Sequence, residues 1–209
     1  MGAKPILIDS GSPGDLPTLE KKLKKVGVTL AEIELLILTH AHFDHAGNAA
    51  AIRKCAGCQV AAHESERAFL ENGKNAVIMP YNFIAKLMNP FMNIPFAATE
   101  VDIVVKASLD LNPYGADARI ILTPGHTPGS ISVITTGGEA IVGDLIGGGL
   151  LLGLLLPDRP RYHYWIASMD EVHTSLKGLF AREIVKIHVG HGGPLSGIQA
   201  RKFFSSNDC

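Results

Sequence analysis

Short apolar runs alternate with amphipathic segments along the whole chain. Ile6 to Ile8 is a short apolar strand that ends in Asp9-Ser10-Gly11. Pro17 to Val26 reads as a helix with a solvated, Lys-rich face, stopped by Gly27. Thr29-Leu30-Ala31-Glu32 has the spacing of a capping box and opens a short turn. Leu35 to Thr39 reads as a buried strand that runs directly into His40-Ala41-His42-Phe43-Asp44-His45. A helix is then expected from Ala46 to Lys54, a strand over Gln59 to Ala62 and a helix over Glu64 to Glu71. Met79 to Ala98, rich in Pro, Asn, Phe and Met, has no clean period and is read as an irregular or helical lid. Further strands are expected at Val101 to Val105, Arg119 to Leu122, Ser130 to Thr135, Ala140 to Val142 and Ile184 to Val189. Ser168-Met169-Asp170-Glu171 opens a helix to Phe180, and a last helix starts near Ser196. This alternation predicts sheets covered by helices.

Composition narrows the possibilities. The 209 residues are 46% hydrophobic and 19% charged, enough to bury a full core, and with no repeat or linker the chain is read as a single domain, 1–209. A net charge of -1 argues against non-specific binding of nucleic acid or an anionic membrane. The longest uncharged apolar stretch, Leu145 to Leu156, falls well short of the ~20 residues needed to span a bilayer. The N-terminus lacks the pattern of a signal peptide. Three cysteines are an odd count, so free thiols and a cytoplasmic location are expected.

The histidines carry the chemistry. His40, His42, Asp44 and His45 fall within six residues at a strand end, where four metal-competent side chains would be costly to desolvate without an ion. The plainer reading is a polar turn with coincidental histidines. In Thr123-Pro124-Gly125-His126-Thr127-Pro128-Gly129-Ser130, two Pro-Gly pairs hold a bend that aims one imidazole. Val142-Gly143-Asp144 and Val189-Gly190-His191 end two more core strands with a carboxylate and an imidazole. Together they place five histidines and two aspartates at the ends of four strands, where ligand sites gather in layered folds. Nitrogen and oxygen donors without thiolate suit one or two divalent ions, zinc first, iron or manganese next. A pair of ions sharing a hydroxide and a carboxylate is a hydrolytic arrangement.

Thr39 to Gly47 (THAHFDHAG), TPGHTPGS, Val142-Gly143-Asp144 and GHGGP, in that order, resemble the metallo-β-lactamase superfamily from Leu7 to Pro194. The resemblance implies an α+β fold, a four-layer αββα sandwich with metals at one edge of the facing sheets. It implies that His40, His42 and His126 hold one metal, that Asp44, His45 and His191 hold a second, and that Asp144 bridges. Asp44 is further expected to orient metal-bound hydroxide and take part in proton transfer, and Asp9 to position a ligand histidine by hydrogen bonding. The family usually opens with one or two strands before the segment matching Ile6 to Asp9, so a short first sheet or a truncated chain is expected here. The glutathione motif of glyoxalase II and the tyrosine of acyl-homoserine lactonases, at Gly147 here, are missing after Asp144, and true β-lactamases lack an aspartate at that place. The subfamily within the glyoxalase II and lactonase-like branch is therefore left open.

The expected activity is a dinuclear zinc hydrolase of a small ester, thioester or lactone, acting through metal-bound hydroxide. The expected partner is a small molecule, with a homodimer as the other association considered. Two rivals are a mononuclear iron enzyme of the persulfide dioxygenase type, using His40, His126 and Asp144, and a truncated chain that binds metal without a formed pocket. Tyr162, His163 and Tyr164, in an aromatic and basic segment after Asp144, are read as substrate-binding or as a structural plug of the sheet edge. Tyr81, Phe83, Phe91 and Phe96 are read as an apolar substrate wall or a self-packed lid. The Cys55-Cys58 pair and His63, His173 and His188 are read as structural, and Gly147 to Gly149 lack the spacing of a phosphate loop.

Overall fold

The computed structural model describes residues 4–77 and 79–206; Met1 and Cys209 lie outside the described residues. In chain order the elements are β1 (Ile6–Ile8), α1 (Leu16–Lys25), β2 (Leu35–Ile37), α2 (Phe43–Ala46), α3 (Ala49–Ala56), β3 (Gln59–His63), α4 (Glu64–Glu71) and α5 (Phe83–Met88). They continue with β4 (Ile103–Val105), β5 (Ser108–Asp110), β6 (Ala118–Leu122), β7 (Ile131–Thr135), β8 (Glu139–Ile141), β9 (Gly147–Leu150) and β10 (Leu155–Arg161). Last come α6 (Met169–Phe180), β11 (Lys186–His188), β12 (Leu195–Ser196) and α7 (Gly197–Ser205). One sheet has the order β1-β2-β3-β4, with every neighbouring pair parallel. A second has the order β12-β11-β8-β7-β6-β5, antiparallel except where β11 meets β8.

Three apolar clusters correspond to the three interfaces between four layers. Successive strand residues face opposite ways, and β2 uses both faces. Leu36 and the following Leu38 pack with Ile52 of α3, Leu70 of α4 and the inner stripe of α1, Leu16, Leu19 and Leu23. Leu35 and Ile37 turn the other way, onto Ile120 of β6 and Ile131 and Val133 of β7, between the two sheets. On the far side, Ala140 and Ile187 pack under Val172, Leu176 and Leu179 of α6 and Ala200 and Phe204 of α7. The layers are therefore helices, sheet, sheet, helices, in the α+β arrangement that the resemblance implied. Because β2 is buried on both faces, it reads in the sequence as an unbroken apolar run.

Three expectations need correction. The helix expected from Ala46 is two helices, α2 and α3, broken at Gly47 and Asn48. A Cβ at Gly47 would lie 2.4 Å from the Pro13 nitrogen, and Asn48 Nδ2 donates to the Ser10 and Ser12 carbonyls at 2.7 Å each, which anchors the break to the β1 turn. Leu145 to Leu156, which carried no strand signal, forms much of an antiparallel β9–β10 hairpin, with positive φ at Gly149, Leu151, Leu152 and Leu156. Its register shifts between Leu155 and Pro160, and that irregularity erases any alternation. Lastly, Phe83 and Phe91 make no wall, because they point outward at 80% and 76% exposure, while Phe96 packs with the first sheet's helices. The 79–98 segment is helical at α5, capped by Asn82 accepting from the Ala85 N–H at 2.9 Å, and it rests on Tyr164 and Trp165 through Ala85, Met88 and Met92. No helix among the described residues is long and apolar enough to cross a membrane.

Candidate metal centre

The site is assembled from the turns that follow strands in both sheets. After β2 the chain continues through buried Thr39, His40 and Ala41, and His42 occupies the N-cap position of α2. Asp44 and His45 then stand in the first turn of α2, beside the backbone donors of its N-terminus. The bend between β6 and β7 delivers His126, the turn after β8 delivers Asp144, the segment after β10 delivers His163, and the turn after β11 delivers His191.

These side chains form overlapping groups whose donor atoms lie within 4.8 Å of one another: His40, His42 and His126; Asp44, His45, Asp144 and His191; and His126, Asp144 and His163. His126 Nε2 lies 3.2 Å from His40 Nε2 and 3.0 Å from His42 Nδ1. Tautomers can be read from the outer partners. His126 Nδ1 faces the Trp165 carbonyl at 2.7 Å; a carbonyl only accepts, so Nδ1 carries the proton and Nε2 the lone pair. Thr39 Oγ1 donates to Asp9 Oδ2 at 2.8 Å, so it accepts from His40 Nδ1 at 3.0 Å and leaves His40 Nε2 with a lone pair too. Burial, followed by neighbouring imidazoles, holds His40 and His126 well below the ordinary histidine range. Burial also brings His42 down to about 4.

Asp144 joins the groups. Its Oδ2 lies 3.2 Å from His163 Nε2, 3.4 Å from both His45 Nε2 and His191 Nε2, and 3.8 Å from His126 Nε2. Burial would raise the pKa of this carboxyl, but the charges of His163, His45 and His191 outweigh it and hold it well below the ordinary range. Asp44 follows the same balance. Burial opposes its charge, and the His191 hydrogen bond and the His45 charge bring it to about 2, with Asp44 Oδ2 3.1 Å from His191 Nε2. His191 in turn rises to about 10 against its burial, because Asp144 and Asp44 favour its protonated form. His45 is raised well above its ordinary value by Asp144 and Asp9, again against burial.

Asp9 sits where the resemblance placed it, behind the histidines. Its Oδ1 accepts from the Thr39 N–H at 2.7 Å, and its Oδ2 lies 2.8 Å from His45 Nδ1, which turns His45 Nε2 toward Asp144. Of the three residues expected at the substrate, His163 reaches the centre. Tyr162 turns to α7, 5.0 Å from the Phe204 ring centroid, and Tyr164 Oη accepts from the Leu151 N–H at 3.0 Å. His63 caps α4, donating to the Lys106 carbonyl at 2.8 Å, and His188 pairs with Glu139 at 2.7 Å. Cys55 is exposed and Cys58 buried, both as free thiols.

Two supporting residues escaped the sequence reading. Buried Glu66 accepts from the Ala41 N–H at 2.8 Å, Thr127 Oγ1 at 2.8 Å and the Gly129 N–H at 3.1 Å, tying the His40–His42 turn to the His126 bend. The available signal was its place four residues before buried Leu70 on α4, a carboxylate on the apolar stripe. Asn75 Oδ1 accepts from the Phe43 N–H at 2.7 Å and so satisfies an open donor of α2. No sequence signal marks it.

The donor set fits divalent metal ions. Around a tetrahedral zinc with Zn–N distances near 2.05 Å, nitrogens stand about 3.3 Å apart, close to the observed spacing of the three-histidine group. Asp144 Oδ1 and His163 Nε2 are buried without hydrogen-bond partners, as polar atoms available to hold a cation would be.

The model of the metallo-beta-lactamase superfamily matches residues 2–191. The chain belongs to that superfamily. A probable metallo-hydrolase of Methanocaldococcus jannaschii is 36% identical to this superfamily member over 192 residues, 92% of this chain and 84% of the relative. A probable metallo-hydrolase of Bacillus subtilis is 27% identical over 144 residues, 68% of this chain and 60% of the relative. Among solved structures, the native FEZ-1 metallo-beta-lactamase of Legionella gormanii superposes with a TM-score of 0.67 at 18% identity, covering 99% of this chain and 84% of that one. At that identity the likeness concerns the fold. The family match and the named relatives place this metallo-beta-lactamase superfamily member among metal-dependent hydrolases.

Proposed function

We propose that this metal-dependent hydrolase holds two divalent ions, zinc first, and cleaves a small ester, thioester or lactone. The observation that carries the reading is the position of Asp144, one carboxylate oxygen within 3.8 Å of His126 on one side and 3.4 Å of His45 and His191 on the other. His40, His42 and His126 would hold the first ion, Asp44, His45 and His191 the second, and Asp144 both. Ions so held supply Lewis acidity at a carbonyl oxygen and lower the pKa of water to about 7. Asp44, kept ionised, accepts a hydrogen bond from the attacking water, fixes its lone pair toward the carbonyl, and takes up the proton destined for the leaving oxygen or sulfur.

The pocket over the donors is walled by Phe43, Met92 and Trp165. That lining supports a substrate with an apolar flank. The presence of Asp44, His45 and His191 as a complete second group favours two ions over the single iron of a persulfide dioxygenase type. The test combines metal content with hydrolysis of an ester, thioester and lactone panel. Two zinc per chain, turnover of a panel member, and loss of that turnover in Asp44→Ala with the fold retained are expected. One iron per chain with oxygen uptake on glutathione persulfide, or undiminished turnover in Asp44→Ala, refutes the proposal.

A further inference from the structure

His163 lies outside the seven donors just assigned, yet it is built into the same place. We infer that His163 Nε2 is an eighth protein donor of the metal centre; the inference rests on the metal-centre reading above. Four observations carry it.

The side chain is 3% exposed and its Nε2 has no hydrogen-bond partner. A buried imidazole nitrogen left unpaired is costly, so its position calls for a ligand. That nitrogen is only 3.2 Å from Asp144 Oδ2, but the contact lacks hydrogen-bond geometry. Two acceptors aimed at a common point lie in this way, whereas an N–H pointing at a carboxylate would be satisfied. Asp144 Oδ1 is likewise buried and unpartnered beside it.

The outer partner repeats that of His126. The Trp165 carbonyl faces His126 Nδ1 at 2.7 Å and His163 Nδ1 at 3.2 Å, using its two lone pairs on two imidazoles. The Trp165 N–H also points at His163 Nδ1 as a donor, at 3.4 Å, the longer of the two contacts. Taking the shorter contact, to the carbonyl, as the hydrogen bond gives His163 the same tautomer as His126 and leaves both Nε2 atoms with lone pairs. A carbonyl accepting from the far nitrogen of a ligand histidine is a recurrent arrangement in metal sites. Finally, His126, Asp144 and His163 bring their donor atoms within 4.8 Å, the same criterion met by the other two groups.

The experiment uses cobalt(II) loaded into the full chain and proton NMR of the strongly shifted, solvent-exchangeable imidazole N–H resonances. Each coordinated histidine contributes one. His40, His42, His45, His126, His163 and His191 together should give six in the wild type, and His163→Gln and His163→Asn should each give five. Cobalt affinity, measured by chelator competition, should weaken about tenfold or more in either variant, the scale on which even outer partners of ligands act. The wild-type count requires no variant to fold, and His191→Gln calibrates the loss of a single ligand. A wild-type count of five, unchanged in His163→Gln but reduced in His191→Gln, overturns the inference and leaves the metal-centre reading standing. A wild type that takes up no cobalt overturns both.

Discussion

Gly190 offers a direct probe of how closely the centre is packed. The residue precedes His191, and its φ lies in the range open to any side chain, so Gly190→Ala tests space alone. A Cβ there would stand 2.1 Å from Asp144 Oδ1, 2.7 Å from His45 Cε1 and 3.2 Å from His45 Nε2. Restoring ordinary 3.4 Å contact requires the carboxylate or the 189–191 turn to move about 1.3 Å. Neither group moves freely: Asp144 is 3% exposed with its Oδ2 among four imidazoles, and the Gly190 N–H donates to the Gly143 carbonyl at 2.8 Å. Overpacking on this scale costs about 1–3 kcal/mol. At about 2–4 °C per kcal/mol for a chain of this size, the melting temperature should fall by roughly 2–12 °C. A displacement of about 1 Å at catalytic groups costs on the order of 10²-fold in rate. Differential scanning calorimetry, zinc content and turnover on the best panel substrate read the three effects together. Gly178→Ala is the control, since nothing lies within 4 Å of a Cβ at that exposed position of α6, and it should stabilise by about 0.5–1 kcal/mol. Wild-type zinc content and turnover in Gly190→Ala would refute the claim that Asp144 is held in place by its packing.

Two further predictions concern the supports of the site and of the first sheet. Glu66→Ala strands the buried donors of Ala41, Thr127 and Gly129, each costing about 1–3 kcal/mol, so the melting temperature should fall by roughly 6 °C or more. Glu66→Gln should lie between wild type and Glu66→Ala, because its amide can accept from two of those donors but presents an N–H to the third; equal stability of all three proteins would contradict the role. The Asp102 carboxylate is held below the ordinary range chiefly by its Arg53 hydrogen bond, and it also accepts from the Val60 N–H at 2.8 Å. A carboxylate depressed in the folded state contributes stability above its unfolded pKa and loses it as pH falls through the folded value. Asp102→Asn should therefore cost about 1 kcal/mol near neutral pH, and urea midpoints should converge with wild type as pH drops below 3.8; a pH-independent gap would count against the linkage.

Much of this architecture was legible because it is locally encoded. An apolar run at 35–38 identifies a strand buried on both faces, Ser168 and Ser196 mark helix starts by side chains that accept from the Glu171 and Gln199 N–H groups, and the ordered histidine motifs carry the family. Donor chemistry was equally explicit, since residue types and their positions at strand ends are properties of the string. The β9–β10 hairpin was not legible: its leucines are 37–81% exposed at Leu150, Leu151 and Leu154 to Leu156, so no alternation between core and solvent was written into them. Glu66 and Asn75 were missed for a related reason, because their partners lie 25 and 32 residues away and a single sequence carries no sign of such pairing. Distances were decided only by the tertiary structure. His40 and His126 are 86 residues apart in sequence and 3.2 Å apart in space, and packing of the two sheets brings the turns at their strand ends together. Periodicity records which face of an element is buried, whereas the meeting of two turns depends on what that face is buried against. That is why the sequence could name His40, His126 and Asp144 as donors, and only the packed sheets could place His163 among them.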